Sequence, residues 1–349
     1  MSAILQQVQS TPVLKQLWHV RCAEPSPLAV AAQLGWLHHE LRDDGIAFGT
    51  LQESSTVDAS QLPSIRQGDS AGAIWSRANG TNTRVIGLHW ANEYQAILAL
   101  PDSGIRTIGD LRGRRLGLPK NDVAFGRKRA AALRGFVVTL QLADVDSRAA
   151  EFVDVETPPG DSRLAARNRS GNYCRDYGGV VQALFERRVD AIYVQGPQGI
   201  GVTDALKAIV VSDLRTHPDP LARANSGGPR PITVDAHVLE ARPDLVTRLL
   251  ARIVAVDSWA ATHPSETVAC IASLTGTRGD YIRRAYGTDL HTRQGTDLDL
   301  TGVMALHTYK NFLCEWGLVP QNFDIDNWID PRPLEAVRAA LRRRTIRSL

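Results

Sequence analysis

The sequence predicts an α/β protein of two lobes joined at a hinge, with a ligand cleft where the lobes face each other. Three observations carry this. Short apolar segments of strand length alternate with longer helix-patterned segments, the signature of parallel βαβ units. The alternation begins again past Leu118. Beyond a loop rich in proline and glycine, Pro218 to Pro231, the chain then reads as mostly helical. With 349 residues, 43% of them hydrophobic and 22% charged, there is enough chain for two cores.

Gln16 to Cys22 roughly alternates apolar and polar side chains and reads as the first strand. It runs through Ala23-Glu24-Pro25 to Ser26-Pro27, an N-cap and first-turn pair, and into a helix-forming run from Leu28 to Leu41. Cys22 is therefore expected at a strand end, just before a helix N-terminus. Gly45 to Leu51 reads as a second strand, and Arg66 to Trp75 as a loop entering a helix. Val85 to Leu88 and Ala96 to Leu100 read as short buried strands. From Ser103 to Leu118 a helical turn, stopped by Gly113, gives way to another strand.

In the second half a long helix is expected from Ala124 to Ala143, then a strand at Glu151 to Val155 and a helix at Gly179 to Arg187. Val189 to Val194 and Ala208 to Ser212 read as further strands. The helical return is expected at Pro243 to His263, Ser265 to Ser273, Arg278 to Ala285 and Leu300 to Trp316.

Composition excludes several function classes. The formal charge is only +3, and much of the excess lies in Arg342, Arg343, Arg344 and Arg347, which read as a solvated helix end. With no basic patch interleaved by aromatics, nucleic-acid binding is not expected. Met1 to Gln16 is broken by Gln6, Gln7, Gln9, Ser10 and Lys15, so a secretory signal is not expected. No stretch approaches the roughly 20 apolar residues of a membrane span. These features predict a cytoplasmic protein with no membrane partner. The cysteines Cys22, Cys174, Cys270 and Cys314 form no CxxC pair, against a zinc site or a disulfide framework. No Walker loop, Gly-x-Gly-x-x-Gly or His-Glu-x-x-His occurs, and no cofactor or metal is expected.

Ile105-Arg-Thr-Ile-Gly-Asp-Leu-Arg-Gly-Arg-Arg-Leu-Gly117, Arg188-Val-Asp-Ala-Ile-Tyr193, and Ala241-Arg-Pro-Asp-Leu-Val-Thr-Arg-Leu-Leu250 with Trp259-Ala-Ala-Thr-His-Pro264 resemble the superfamily of sulfonate, nitrate and taurine binding proteins. Within it, Cys22-Ala-Glu-Pro25, Arg66-Gln-Gly68 and Asp324-Ile-Asp-Asn-Trp328 resemble the family of 2'-hydroxybiphenyl-2-sulfinate desulfinases. The resemblance implies a two-lobed, periplasmic-binding-protein-like (type 2) fold, with residues 1–102 plus 215–349 in one lobe and 103–214 in the other. It also implies cofactor-independent cleavage of a C–S bond, with release of sulfite from an aromatic or other organic sulfinate. The family's catalytic set includes a histidine shortly before the arginine, and Glu53 to Ile65 contains none. Asp58 is a candidate replacement, and His89 is the other residue that could stand in for it.

Cys22 and Arg66 are the catalytic candidates. A helix N-terminus and a nearby arginine favour a thiolate, and a guanidinium offers paired donors to a sulfinate. Gly68 and Asp69 open the following helix, where backbone N–H groups favour anions. His89 and Trp90 follow one strand, and Tyr193 and Gln195 close another, so all four are candidates to line the cleft. Tyr173-Cys174 sits in a loop of lid-like composition. His38 and His39 are expected on the surface, Cys270 and Cys314 in the core, and Trp36, Trp259 and Trp316 in packing. Two alternatives stand beside desulfination. One is a solute-binding protein for small anions. The other is a decarboxylase or C–S lyase of secondary metabolism on the same scaffold.

Overall fold

The computed structural model describes residues 14–21, 25–52, 62–120, 125–156 and 177–347. Its strands are β1 (Gln16–Arg21), β2 (Ala47–Gln52), β3 (Ser64–Gln67), β4 (Thr83–His89) and β5 (Gln95–Ala99). They continue with β6 (Arg115–Lys120), β7 (Glu151–Glu156), β8 (Ala191–Gln195), β9 (Ile209–Asp213) and β10 (Arg230–Asp235). Among the described residues these form two five-stranded sheets, ordered β2-β1-β3-β10-β4 and β7-β6-β8-β5-β9. The two orders follow one scheme. In each sheet three strands are parallel, and the fourth place is taken by an antiparallel strand that has just arrived from the other sheet.

The chain passes from the first sheet to the second across residues 90–94 and returns across 214–229. Gln95–Ala99 pairs with β8 and β9, so this first passage precedes residue 102, where the sequence placed the boundary between lobes.

Local sequence explains most elements. Ser26 caps the helix Pro27–Gln33 by accepting from the Ala29 amide at 3.2 Å, with Pro27 in the first turn, as its sequence predicts. The expected run to Leu41 is instead two helices, Pro27–Gln33 and Trp36–Arg42. Gly35 between them takes φ 77°, a left-handed conformation open to glycine. Leu28, Val30, Leu37 and Leu41 are all fully buried. At roughly 2 kcal/mol for each Leu or Val side chain removed from water, this burial fixes which faces turn inward.

Arg66 and Gln67 were expected in a loop but form part of β3, between β1 and β10. The Arg230–Asp235 strand was also hidden, behind Pro231. Its pairing with β3 starts only at Ile232, so the missing proline N–H breaks no bond on that side.

Among the described residues two buried apolar clusters form, and each joins both sheets. One contains Leu17, Ile65 and Ile232 together with Val155 and Ile192. The other contains Val85 and Leu88 with Ile97, Leu116 and Trp328. Trp328 is wholly buried and its Nε1 donates to Thr83 Oγ1 at 3.1 Å, which secures the C-terminal segment against β4. Among the described residues, no helix is long and apolar enough to cross a membrane.

Candidate functional site

The parallel strands of both sheets direct their C-terminal ends toward one cleft, where open α/β sheets bind ligands. From the first sheet, β1 leads to the helix Pro27–Gln33, and β3 leads through Gly68-Asp69 to the helix Ser70–Ala78. From the second, β6 precedes the helix Arg127–Gln141, and β8 passes directly into Gly196–Leu206. Between them lies a cavity of about 100 Å³. Pro25 and Asp69 face it from the first lobe, and Arg127, Lys128, Tyr177 and Gln195 from the second. Glu93 and Ser226 contribute from the two passages between sheets, and Thr275, Thr277 and Tyr286 from the helical return.

Asp69 ties the lobes together. It is the N-cap of its helix, its Oδ1 accepting from the Gly72 amide at 2.7 Å and from Ser226 Oγ at 3.2 Å. Its Oδ2 accepts from Arg127 Nη1 at 2.6 Å. One carboxylate thus serves a helix end in the first lobe, the return passage and a helix start in the second lobe.

A second ion pair lies at the base of the cleft. Arg230 is fully buried and Glu93 is 2% exposed. Arg230 Nη2 donates to Glu93 Oε2 at 2.9 Å, and the Tyr286 hydroxyl donates to the same oxygen at 3.2 Å. Arg230 Nη1 also donates to the carbonyl of Pro25. The segment that follows β1 is therefore bonded to the same arginine that balances Glu93. Glycine at position 227 is required here, because a Cβ would overlap the Glu93 carboxylate.

The sequence candidates are distributed unevenly. Cys22, Asp58, Tyr173 and Cys174 lie outside the described residues. Arg66 is half-buried on β3, with Nε donating to Ser64 Oγ at 2.9 Å. Asp69 and Gln195 line the cavity, whereas Arg66, Gly68, His89, Trp90 and Tyr193 are not among the described residues that do so.

Tyr193 supports the wall from behind. Its hydroxyl lies 3.1 Å from Gln95 Oε1 and 3.2 Å from Gln195 Oε1, and accepts from Asn225 Nδ2 at 3.0 Å. Burial holds this phenol well above its usual pKa. His89 is 1% exposed and pairs through Nδ1 with the Gly295 carbonyl at 3.0 Å. Burial lowers its pKa to about 4, so the ring is neutral at physiological pH and donates from Nδ1. Trp90 lines a separate cavity with Asp257, Asp297 and Asp299. His38 and His39 are exposed, Cys270 is buried, Cys314 is half-buried, and Trp36 packs edge-on to Trp259.

Sequence reasoning missed Glu93, Arg127, Lys128, Arg230 and Tyr286. Glu93 carried the one available signal, a charged residue in the short connection between two buried strands. Gln67 was also missed. Its Oε1 accepts from the Leu28 amide at 2.9 Å, so β3 shares with Ser26 the capping of the helix after Cys22. Its Nε2 is buried and has no partner among the described residues.

No protein-family model matches the chain. It is 25% identical over 345 residues to the 2'-hydroxybiphenyl-2-sulfinate desulfinase of Rhodococcus erythropolis, covering 90% of this chain and 91% of the relative. The crystal structure of a cysteine-to-serine variant of DszB, in complex with biphenyl-2-sulfinic acid, superimposes with a TM-score of 0.73 at 22% identity, covering 93% of this chain and 99% of that one. The periplasmic aliphatic sulphonate binding protein SsuA of Escherichia coli matches with a TM-score of 0.65 at 14% identity, covering 90% and 91%. Over nine-tenths of its length the chain is similar to the sulfinate desulfinases, and it has the two-lobed α/β fold of the periplasmic sulfonate-binding proteins.

Proposed function

We propose that the protein is a desulfinase, cleaving the C–S bond of an organic sulfinate without a cofactor and releasing sulfite. The observation that carries this reading is the cleft. It lies at the C-terminal ends of strands from both sheets, and its wall includes Pro25, three residues after Cys22 in the sequence. Arg127 and Lys128, in the first turn of a 15-residue helix, place two cationic side chains on the wall, Arg127 in its ion pair with Asp69. Likeness to a curated desulfinase over 90% of the chain supports the same chemistry.

The reaction is R–SO₂⁻ + H₂O → R–H + HSO₃⁻. In this reading Arg66, although not among the described residues that line the cavity, holds the sulfinate oxygens through its Nη groups while Nε stays bonded to Ser64, and Cys22 is the reactive group. It has two balanced routes. As a proton donor, the Cys22 thiol protonates the carbon, the C–S bond breaks, and sulfur leaves as SO₂. Water converts SO₂ to bisulfite and a proton, and the thiolate recovers that proton. As a nucleophile, the thiolate bonds to sulfur while the carbon departs with the thiol proton. Water then hydrolyses the S-sulfinate to bisulfite and the thiol. His89 is neutral, buried and bonded to Gly295, which leaves the proton chemistry to Cys22 with Asp58 as the candidate assistant.

The test is product analysis on a panel of aryl and alkyl sulfinates. Desulfination gives sulfite and R–H in equal amounts. A carboxylate analogue that releases CO₂ while every sulfinate stays intact would point to a decarboxylase. Tight sulfonate binding without turnover would make the protein a solute-binding protein.

A further inference from the structure

We propose that the substrate is a compact polar sulfinate, smaller than an aromatic ring bearing a sulfinate and carrying a second hydrogen-bonding or charged group, and that biaryl sulfinates are poor ligands. The inference rests on the desulfinase reading for the reaction, and on the cleft alone for the size and polarity of what it holds.

Size comes first. The cavity is about 100 Å³. An apolar cavity of about 150 Å³ holds one benzene molecule. A biphenyl carrying a sulfinate has more than twice the bulk of benzene and exceeds this space, and widening the cleft to hold it would strain the Asp69–Arg127 contact at 2.6 Å, which joins its two walls.

Polarity points the same way. Pockets that bury large aromatic ligands are lined mainly by hydrophobic and aromatic side chains. Among the described residues lining this cleft, four are charged (Asp69, Glu93, Arg127 and Lys128) and none is Leu, Ile, Val, Phe or Met. The aromatic members, Tyr177 and Tyr286, use their hydroxyls in hydrogen bonds, one to the Gln195 backbone and one to Glu93. A second apolar ring would strip water from ionised groups and return no hydrogen bond. A compact substrate with an amino, hydroxyl or carboxyl group replaces that water with bonds of its own. Thr275 and Thr277, on the helical return, add two hydroxyls that are bonded to each other at 2.8 Å and can exchange that bond for one to a ligand.

The experiment compares kcat/KM for sulfite release from 2-aminoethanesulfinate, 3-sulfinopropionate, 2-aminobenzenesulfinate and biphenyl-2-sulfinate, using the full chain. At least one compact polar sulfinate is expected to exceed biphenyl-2-sulfinate by tenfold or more. Equal or better turnover of biphenyl-2-sulfinate overturns the inference. If none releases sulfite, the desulfinase reading fails and the matching sulfonates are ranked by thermal shift. A compact polar sulfonate raising Tm more than biphenyl-2-sulfonate then upholds the inference for binding, and the reverse order or no shift overturns it. The variant Thr277→Val ties the preference to the cleft, since it should narrow the ratio severalfold. An unchanged ratio removes Thr277 from recognition.

Discussion

The Asp69 carboxylate and the Arg127 guanidinium meet at 2.6 Å across the cleft, each at the start of a helix and each from a different lobe. Asp69 is nearly buried and Arg127 about one-third exposed. A double-mutant cycle with Asp69→Asn and Arg127→Gln should give a coupling of about 1 kcal/mol, because the pair is only partly shielded from water. The coupling should shrink as salt is raised. Asp69→Ala should cost about 1 kcal/mol beyond the loss of the pair, since it also uncaps the helix. Urea denaturation at low and high salt reads all three effects, and a salt-independent coupling would show that the contact is not electrostatic.

Arg230 and Glu93 behave differently because both are buried. Removing either partner takes a buried counter-charge away from the other. Arg230→Met and Glu93→Gln should each destabilise by about 3–5 kcal/mol. The double variant should cost less than the sum of the two. Additive losses in denaturant titrations would mean that the two residues do not share one interaction. Gly227→Ala should be comparably damaging, through overlap with the Glu93 side chain.

Acid stability should report on His89. Burial lowers its folded pKa to about 4, against about 6.5 for a free imidazole. Between those values the unfolded chain binds a proton that the folded protein refuses. This contribution is intact above pH 6.5, declines as pH falls toward 4, and levels off below, for a loss of about 3 kcal/mol. His89→Asn, which can still donate to the Gly295 carbonyl, should flatten the stability profile over that range. An unchanged slope would place the acid sensitivity elsewhere.

The helix after Cys22 is held from two directions, by Ser26 Oγ at the Ala29 amide and by Gln67 Oε1 at the Leu28 amide. Ser26→Ala should cost about 1 kcal/mol. Gln67→Met removes a cap and an unpartnered buried donor together, so its cost in stability should be smaller. If this cap positions the segment carrying Cys22, Gln67→Met should lower kcat more than it raises KM. Equal kcat with a higher KM would assign Gln67 to substrate binding.

Much of the fold was legible because it is written in local pattern. Ser26-Pro27 announces a helix start, Gly113 a stop, and Ala191-Ile-Tyr-Val194 a buried strand, and each stands where the pattern puts it. The strands that escaped, β3 and β10, carry Arg66 and Gln67 in one and Arg230 and Pro231 in the other. Their polar and proline residues are tolerated because neighbouring strands and a helix end supply partners that no local window contains. The same holds for the cleft. Asp69 and Gln195 follow strand ends, so their position is local information. The pairing of Asp69 with Arg127, and of Glu93 with Arg230, joins residues 58 and 137 positions apart and becomes visible only when the two lobes are brought together. His89 stands at a strand end too, but tertiary packing turns it toward Gly295.

The central claim is tested most directly by measuring sulfite release from wild-type protein and Cys22→Ser side by side, on the sulfinate panel. The expected result is stoichiometric sulfite and R–H from the wild type, with at least a hundredfold loss in Cys22→Ser while the variant still binds the same sulfinate. Equal turnover by Cys22→Ser would remove Cys22 from the chemistry, and no sulfite from either protein would contradict the assignment of desulfinase activity.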